Sequence, residues 1–182
     1  MQSILLIDHG SRRAEANEML ACMANLVQQI VGDGVAVEHA HMELAEPDIA
    51  AGFARCVARG ASEVVAFPYM LSPGRHATGD IPRLVAEAAR AHPDVTWRVT
   101  DAFGVHEQLA EVILLRAGIA PARRLTAAEA CRCWHPTGSG TACGGACRAR
   151  PEACAATEAA EERRARLGTD APTPVVARAA VP

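Results

Sequence analysis

Lysine is absent from the 182 residues, so all 18 basic side chains are arginine. Without it there is no phosphate-binding glycine loop ending in Lys followed by Ser or Thr, which excludes nucleotide hydrolysis through such a loop. The all-arginine usage reads as compositional bias. Aromatic residues are only 3% of the chain, and no basic run accompanies them. Both marks of a nucleic-acid surface are thus missing, and no nucleic-acid partner is expected. No apolar run reaches the roughly 18–20 residues that cross a bilayer, so no membrane partner is expected either. The opening Met1-Gln2-Ser3-Ile4-Leu5 has neither a basic start nor a small-residue cleavage site, unlike a secretory signal. A cytoplasmic location is the expectation.

Half of the residues are hydrophobic, enough for one domain with a core and an appendage. Charge and cysteine divide unevenly along the chain. Residues 1–118 hold nine Arg and fifteen acids, a formal −6, whereas 119–182 hold nine Arg and six acids, a formal +3. Cys22 and Cys56 lie in the first part, and five cysteines lie between 131 and 154. The expected organisation is an α/β domain over 1–118, a cysteine-rich extension with a short charged helix over 119–168, and a disordered tail over 169–182.

Hydrophobic spacing sets the elements. Ile4-Leu5-Leu6-Ile7 is a short apolar run ending at Asp8-His9-Gly10-Ser11, so it reads as a central buried strand. Met19, Leu20, Met23, Leu26, Val27 and Ile30 recur at helical intervals and are expected to face inward. Val35 to Met42 reads as a second strand, with His39, His41 and Glu43 on one face. A second helix opens at Glu46-Pro47-Asp48, with Pro47 near its start, and Gly60 closes it. Residues 63–68 form a third strand, followed by a loop to His76 and a helix from Asp80. Val95 to Thr100 is a fourth strand, and a fourth helix ends at Gly118. Short helices are also expected at 126–130 and 152–167. Four strands alternating with four helices predict a three-layer, doubly wound α/β domain with a mainly parallel sheet, followed by an irregular C-terminal tail.

His9 and His76 each follow a buried strand, at the sheet edge where open α/β folds bind ligands. Glu43 ends the strand between them in sequence. Two imidazoles and a carboxylate suit a borderline divalent ion such as Co²⁺, Fe²⁺ or Ni²⁺. The alternative for each histidine is a loop residue satisfying its own backbone. His39 and His41 share a strand face with Glu43, and at least one of them is expected to be a satisfied interior histidine; His41 is kept as a candidate extension of the site, while His39, His92 and His106 are left outside it. Cys22 and Cys56 read as small apolar fillers.

Three separated motifs carry a resemblance: Leu6-Ile7-Asp8-His9-Gly10-Ser11-Arg12, Met42 through Ile49, and Phe67 through His76 followed by Asp80-Ile81-Pro82. Together, and in this order over roughly 1–118, they resemble the sirohydrochlorin chelatases of the CbiX/SirB family. The resemblance implies insertion of Co²⁺ or Fe²⁺, in some members Ni²⁺, into the eight-carboxylate tetrapyrrole sirohydrochlorin without nucleotide hydrolysis. It implies a place in siroheme or cobalamin synthesis. His9, Glu43 and His76 then carry the metal and the catalysis, and Ser11, Arg12, Ser72, Gly74 and Arg75 meet the substrate. For Arg12 an ordinary solvated helix start is the alternative. Family chains have two similar halves or one; this chain has one, so a symmetric homodimer is expected to complete the cleft. A non-catalytic cobalt- or nickel-binding protein or metallochaperone on the same fold is the competing reading.

Cys131, Cys133, Cys143, Cys147 and Cys154 lie outside the resemblance, with His135 among them. Their density in a reducing setting points to an iron–sulfur cluster or a Zn²⁺ site, although the spacing matches no established signature. A flexible tail that traps metal adventitiously is the alternative. Anaerobically purified protein is expected to contain stoichiometric iron and sulfide, or zinc, that is lost when the chain stops at Gly118. Tail cysteines that titrate as ordinary metal-free thiols would end the cluster idea.

Overall fold

The computed structural model describes residues 1–123, which fall into two units, 1–103 and 104–123. In the first unit β1 (Gln2–Asp8), β2 (Val35–His41), β3 (Glu63–Pro68) and β4 (Thr96–Val99) alternate with α1 (Ala14–Val31), α2 (Ile49–Ala58) and α3 (Ile81–Ala89). The strands lie in the order β2-β1-β3-β4, and every pairing is parallel. The expected parallel α/β architecture is what forms.

Alternate residues of β1 serve opposite faces, as the period of two requires. Leu5 and Ile7 pack with Phe53 and Cys56 of α2 and with Ile81 and Val85 of α3. Leu6 packs instead with Leu20 and Ala24 of α1 and Val37 of β2. The sheet therefore has α2 and α3 on one face and α1 on the other. The first crossover steps from β1 outward to β2; the second returns across β1 to β3. Right-handed crossovers running in opposite directions put their helices on opposite faces. A crevice consequently opens outside the carboxyl ends of β1 and β3, where the winding reverses.

Two close approaches fix α2. Asp48 is its N-cap, the carboxylate accepting from Ala51 N–H at 2.7 Å, an interaction that stabilises by ~1 kcal/mol. At Gly52 a Cβ would lie 2.8 Å from the Ala40 Cβ and 2.9 Å from Leu5 Cδ1, so only glycine lets the helix sit this near the sheet. The outer edge of β2 is sealed by other groups. Gln28 donates to Val35 O and accepts from Val37 N–H, both at 2.9 Å. Arg59 donates to Val37 O at 3.2 Å, and Pro47 O accepts from His41 N–H at 2.8 Å.

Several expectations need correction. Met19, Leu26 and Ile30 are 73%, 50% and 75% exposed, whereas Leu20 and Ala24 are buried. The helix lies turned by about one residue from the expected face, because α1 meets the sheet along one ridge only and its apolar residues span a wider arc. Cys22 is exposed rather than a filler, while Cys56 is buried, and burial pushes its thiol up to about 12. Pro47 precedes α2 instead of opening it. It follows a cis Glu46–Pro47 peptide and turns its carbonyl back to β2.

In the second unit α4 (Glu107–Ala117) is N-capped by His106, whose Nδ1 accepts from Gln108 N–H at 3.2 Å. It ends on Gly118 in a left-handed C-cap at φ +68°, as expected. Among the described residues no helix is long and apolar enough to cross a membrane. The segments expected at 126–130 and 152–167, the tail from 169, and most of the proposed extension lie outside the described residues.

Candidate functional site at the carboxyl ends of β1, β2 and β3

β1 delivers Asp8, His9 and Gly10 to the crevice, and backbone pairing with β2 continues past both strand ends. Met42 N–H donates to Asp8 O at 2.8 Å and Glu43 N–H to His9 O at 3.1 Å. This ladder sets Glu43 beside His9, with Glu43 Oε1 2.9 Å from His9 Nε2. The other ring nitrogen, Nδ1, lies 3.3 Å from Gly10 O. Gly10 has φ +82°, and a Cβ there would fall on the carbonyl oxygen of Glu43. Beneath this turn, Asp8 Oδ1 accepts from Gly10 N–H at 2.9 Å and lies 2.6 Å from His41 Nδ1.

β3 delivers the second histidine. Its pairing with β1 extends to Tyr69, whose N–H donates to Ile7 O at 2.6 Å. Phe103 stands edge-on to both Phe67 and Tyr69, with ring centroids 5.0 Å away in each case. His76 was expected on a loop and instead begins a π-helical turn, His76–Asp80, that runs directly into α3. Pro82 explains the widening: its ring crowds the carbonyl four residues back, and Ile81 N–H bonds to His76 O, five residues back. The ring of His76 reaches that of His9, with centroids 5.2 Å apart and planes at 74°. His76 Nδ1 is 2.8 Å from Asp80 Oδ2, and Arg75 Nε is 3.7 Å from the same oxygen.

His9, Glu43 and His76 are thus brought to one place. Their contacts are pairwise. Among the described residues no group of three or more His, Cys, Asp or Glu stands arranged to hold a metal ion. Ser11 flanks them; its hydroxyl accepts from Arg13 N–H, and Asn17 holds its backbone through two bonds of 2.8 Å. Arg12, Ser72, Gly74 and Arg75 are exposed, Arg75 to 86%. His41 is only 1% exposed, an interior histidine paired with Asp8 rather than an outward ligand. His39 neighbours it at 5.9 Å; burial, and then the His41 charge, lower its pKa from the usual value. His92 stacks on Phe53 at the end of α3.

Asp80 and the Asp8–His41 pair are the polar contacts that sequence reading missed. For Asp80 the signal was present, as a carboxylate four residues after a histidine at a helix start. For Asp8 it was one position before His9 in the same motif.

A family model described as CbiX matches residues 3–120. The chain belongs to the CbiX family. Among CbiX-like relatives it is 44% identical over 110 residues to the chloroplastic sirohydrochlorin ferrochelatase of Arabidopsis thaliana, a match covering 60% of this chain and 48% of that protein. It is 33% identical over 116 residues to the sirohydrochlorin cobaltochelatase of Priestia megaterium, covering 64% and 37%. The sirohydrochlorin chelatase SirB from Bacillus subtilis subspecies spizizenii, solved in complex with cobalt, superposes with a TM-score of 0.59 at 32% identity. That match covers 64% of this chain and 50% of SirB. The chain therefore spans about half the length, or less, of these three relatives.

Gly10→Ala tests the turn beneath His9. Left-handed strain costs about 1–2 kcal/mol and displacement of the Glu43 carbonyl about 1–3 kcal/mol more. The expected result is a lower urea midpoint and loss of the His9–Glu43 contact; an unchanged midpoint would refute the crowding.

Proposed function

We propose that this chain inserts Co²⁺ or Fe²⁺, with Ni²⁺ as a further metal substrate, into sirohydrochlorin at the crevice outside β1 and β3. The single observation that carries the reading is the convergence of His9, Glu43 and His76 at that crevice in a CbiX-family chain. The named relatives support sirohydrochlorin as substrate and cobalt or iron as metal.

Insertion requires the ion to shed water and two pyrrole N–H protons to leave the ring. In this reading His9 and His76 hold the ion through ring nitrogens, and Glu43 serves as proton acceptor or third ligand. Glu43 Oε1, 2.9 Å from His9 Nε2, is placed to take the proton that this nitrogen gives up when it binds the ion, and to pass it to solvent before it accepts one from the ring. Nitrogen and oxygen donors suit an ion that must be passed on, since thiolates would retain it more firmly. Exposed Arg12 and Arg75 meet ring carboxylates at the rim, with Ser11, Ser72 and Gly74 alongside. A second copy of the chain supplies the missing wall of the crevice, because a macrocycle is held when most of its surface is buried. The product feeds siroheme or cobalamin synthesis.

Protein incubated with sirohydrochlorin and Co²⁺ or Fe²⁺ is expected to convert the visible spectrum to that of the metallated ring. His9→Ala and His76→Ala should each slow this by about 100-fold or more, and Glu43→Gln by less, because it keeps an oxygen. Both histidine variants working at the unmodified rate would defeat the assignment; metal binding with an unchanged spectrum would favour the metallochaperone reading. Sedimentation should report a dimer, and a monomer that still inserts metal would remove the shared wall.

A further inference from the structure

We propose that Asp80 is a positioning residue, fixing His76 in the tautomer that carries its proton on Nδ1 and leaves Nε2 bare to bind the divalent ion. This rests on the reading of His76 as an ion-holding side chain. A neutral imidazole donates from one nitrogen only, and an ionised carboxylate only accepts. With Asp80 Oδ2 2.8 Å from Nδ1, the hydrogen-bonded proton belongs on Nδ1. A free imidazole prefers its proton on Nε2, so the carboxylate reverses the default. Partners of this kind fix ring orientation and raise ligand basicity in metal-binding histidines.

Among the described residues no other contact accounts for this carboxylate as well. Asp80 precedes the first residue of α3, a position where an acidic side chain ordinarily caps a free N–H. Its backbone is helical instead, at φ −68° and ψ −48°, and its side chain makes no cap bond. The π-helical turn from His76 to Asp80 brings the two side chains together. Arg75 is a weak competitor, its Nε 3.7 Å away on a side chain 86% exposed, where an ion pair contributes little.

The test is long-range ¹H–¹⁵N correlation of the histidine rings in the full-length ¹⁵N-labelled protein, followed by a Co²⁺ titration monitored at the His76 ring signals. Wild-type His76 should show a protonated Nδ1 and a bare Nε2. In Asp80→Ala the proton should shift toward Nε2, and the Co²⁺ concentration needed to perturb the ring should rise about 10- to 100-fold. Asp80→Asn, which keeps an oxygen acceptor, should hold the tautomer and lose less affinity. An Nε2–H tautomer in the wild type would overturn the proposal, as would Asp80→Ala with the wild-type tautomer and Co²⁺ response. Should the alanine variant not fold, the wild-type tautomer and the asparagine variant decide. Neither readout involves the tetrapyrrole, so failure of insertion and failure of this proposal remain distinguishable.

Discussion

A single carboxylate oxygen organises the floor of the site. Asp8 Oδ1 takes the Gly10 N–H and faces the buried ring of His41, joining the exit of β1 to the last residue of β2. The left-handed turn at Gly10 follows from that bond, and the turn lets the backbone of β2 run close enough for Glu43 to meet His9. A buried polar ring such as that of His41 is costly unless it is satisfied, and Asp8 is only partly buried. Here Asp8 satisfies that ring, at the point where two strands must be held in register beyond their regular ends. His9 itself contributes little to holding the turn; it is carried there.

Much of this was legible in the sequence. Short apolar runs ended by polar or glycine-rich stretches predicted β1 and β3, because a strand covered on both faces has no polar side to show, while alternation with period two predicted β2 and β4. The meeting of His9, Glu43 and His76 was expected from their places after successive strands, although their separation in sequence says nothing of distance. Three features were not legible. The face of α1 was misjudged because periodicity defines an apolar arc but not which part of it a neighbour covers, leaving Met19 and Ile30 outside. The π-helical turn at His76 depends on the backbone's answer to Pro82. The burial of His41 depends on register with Asp8, which no linear pattern encodes.

Both signs of charge gather around the site. Three carboxylates, Asp8, Glu43 and Asp80, stand in contact with histidine rings, while the Arg12 and Arg75 side chains are exposed. Carboxylates attract a divalent cation, and exposed guanidinium groups attract a polycarboxylate. Under the proposed function the two substrates carry opposite charge, so each has groups of the complementary sign to meet. The groups that would hold the cation under that proposal are all nitrogen and oxygen donors, as suits an ion in transit.

The closure of the β2 edge has a consequence for how this chain associates. An unpaired strand edge is a template on which another strand can grow, the common first step of runaway sheet assembly. On β2 the bonds from Gln28, Arg59 and Pro47 already occupy groups that a foreign strand would need. The opposite edge, β4, is only four residues long. The chain is thereby steered away from joining its neighbours backbone to backbone, and any lasting association has to be built from side-chain surfaces, which can be tuned one residue at a time and can come apart.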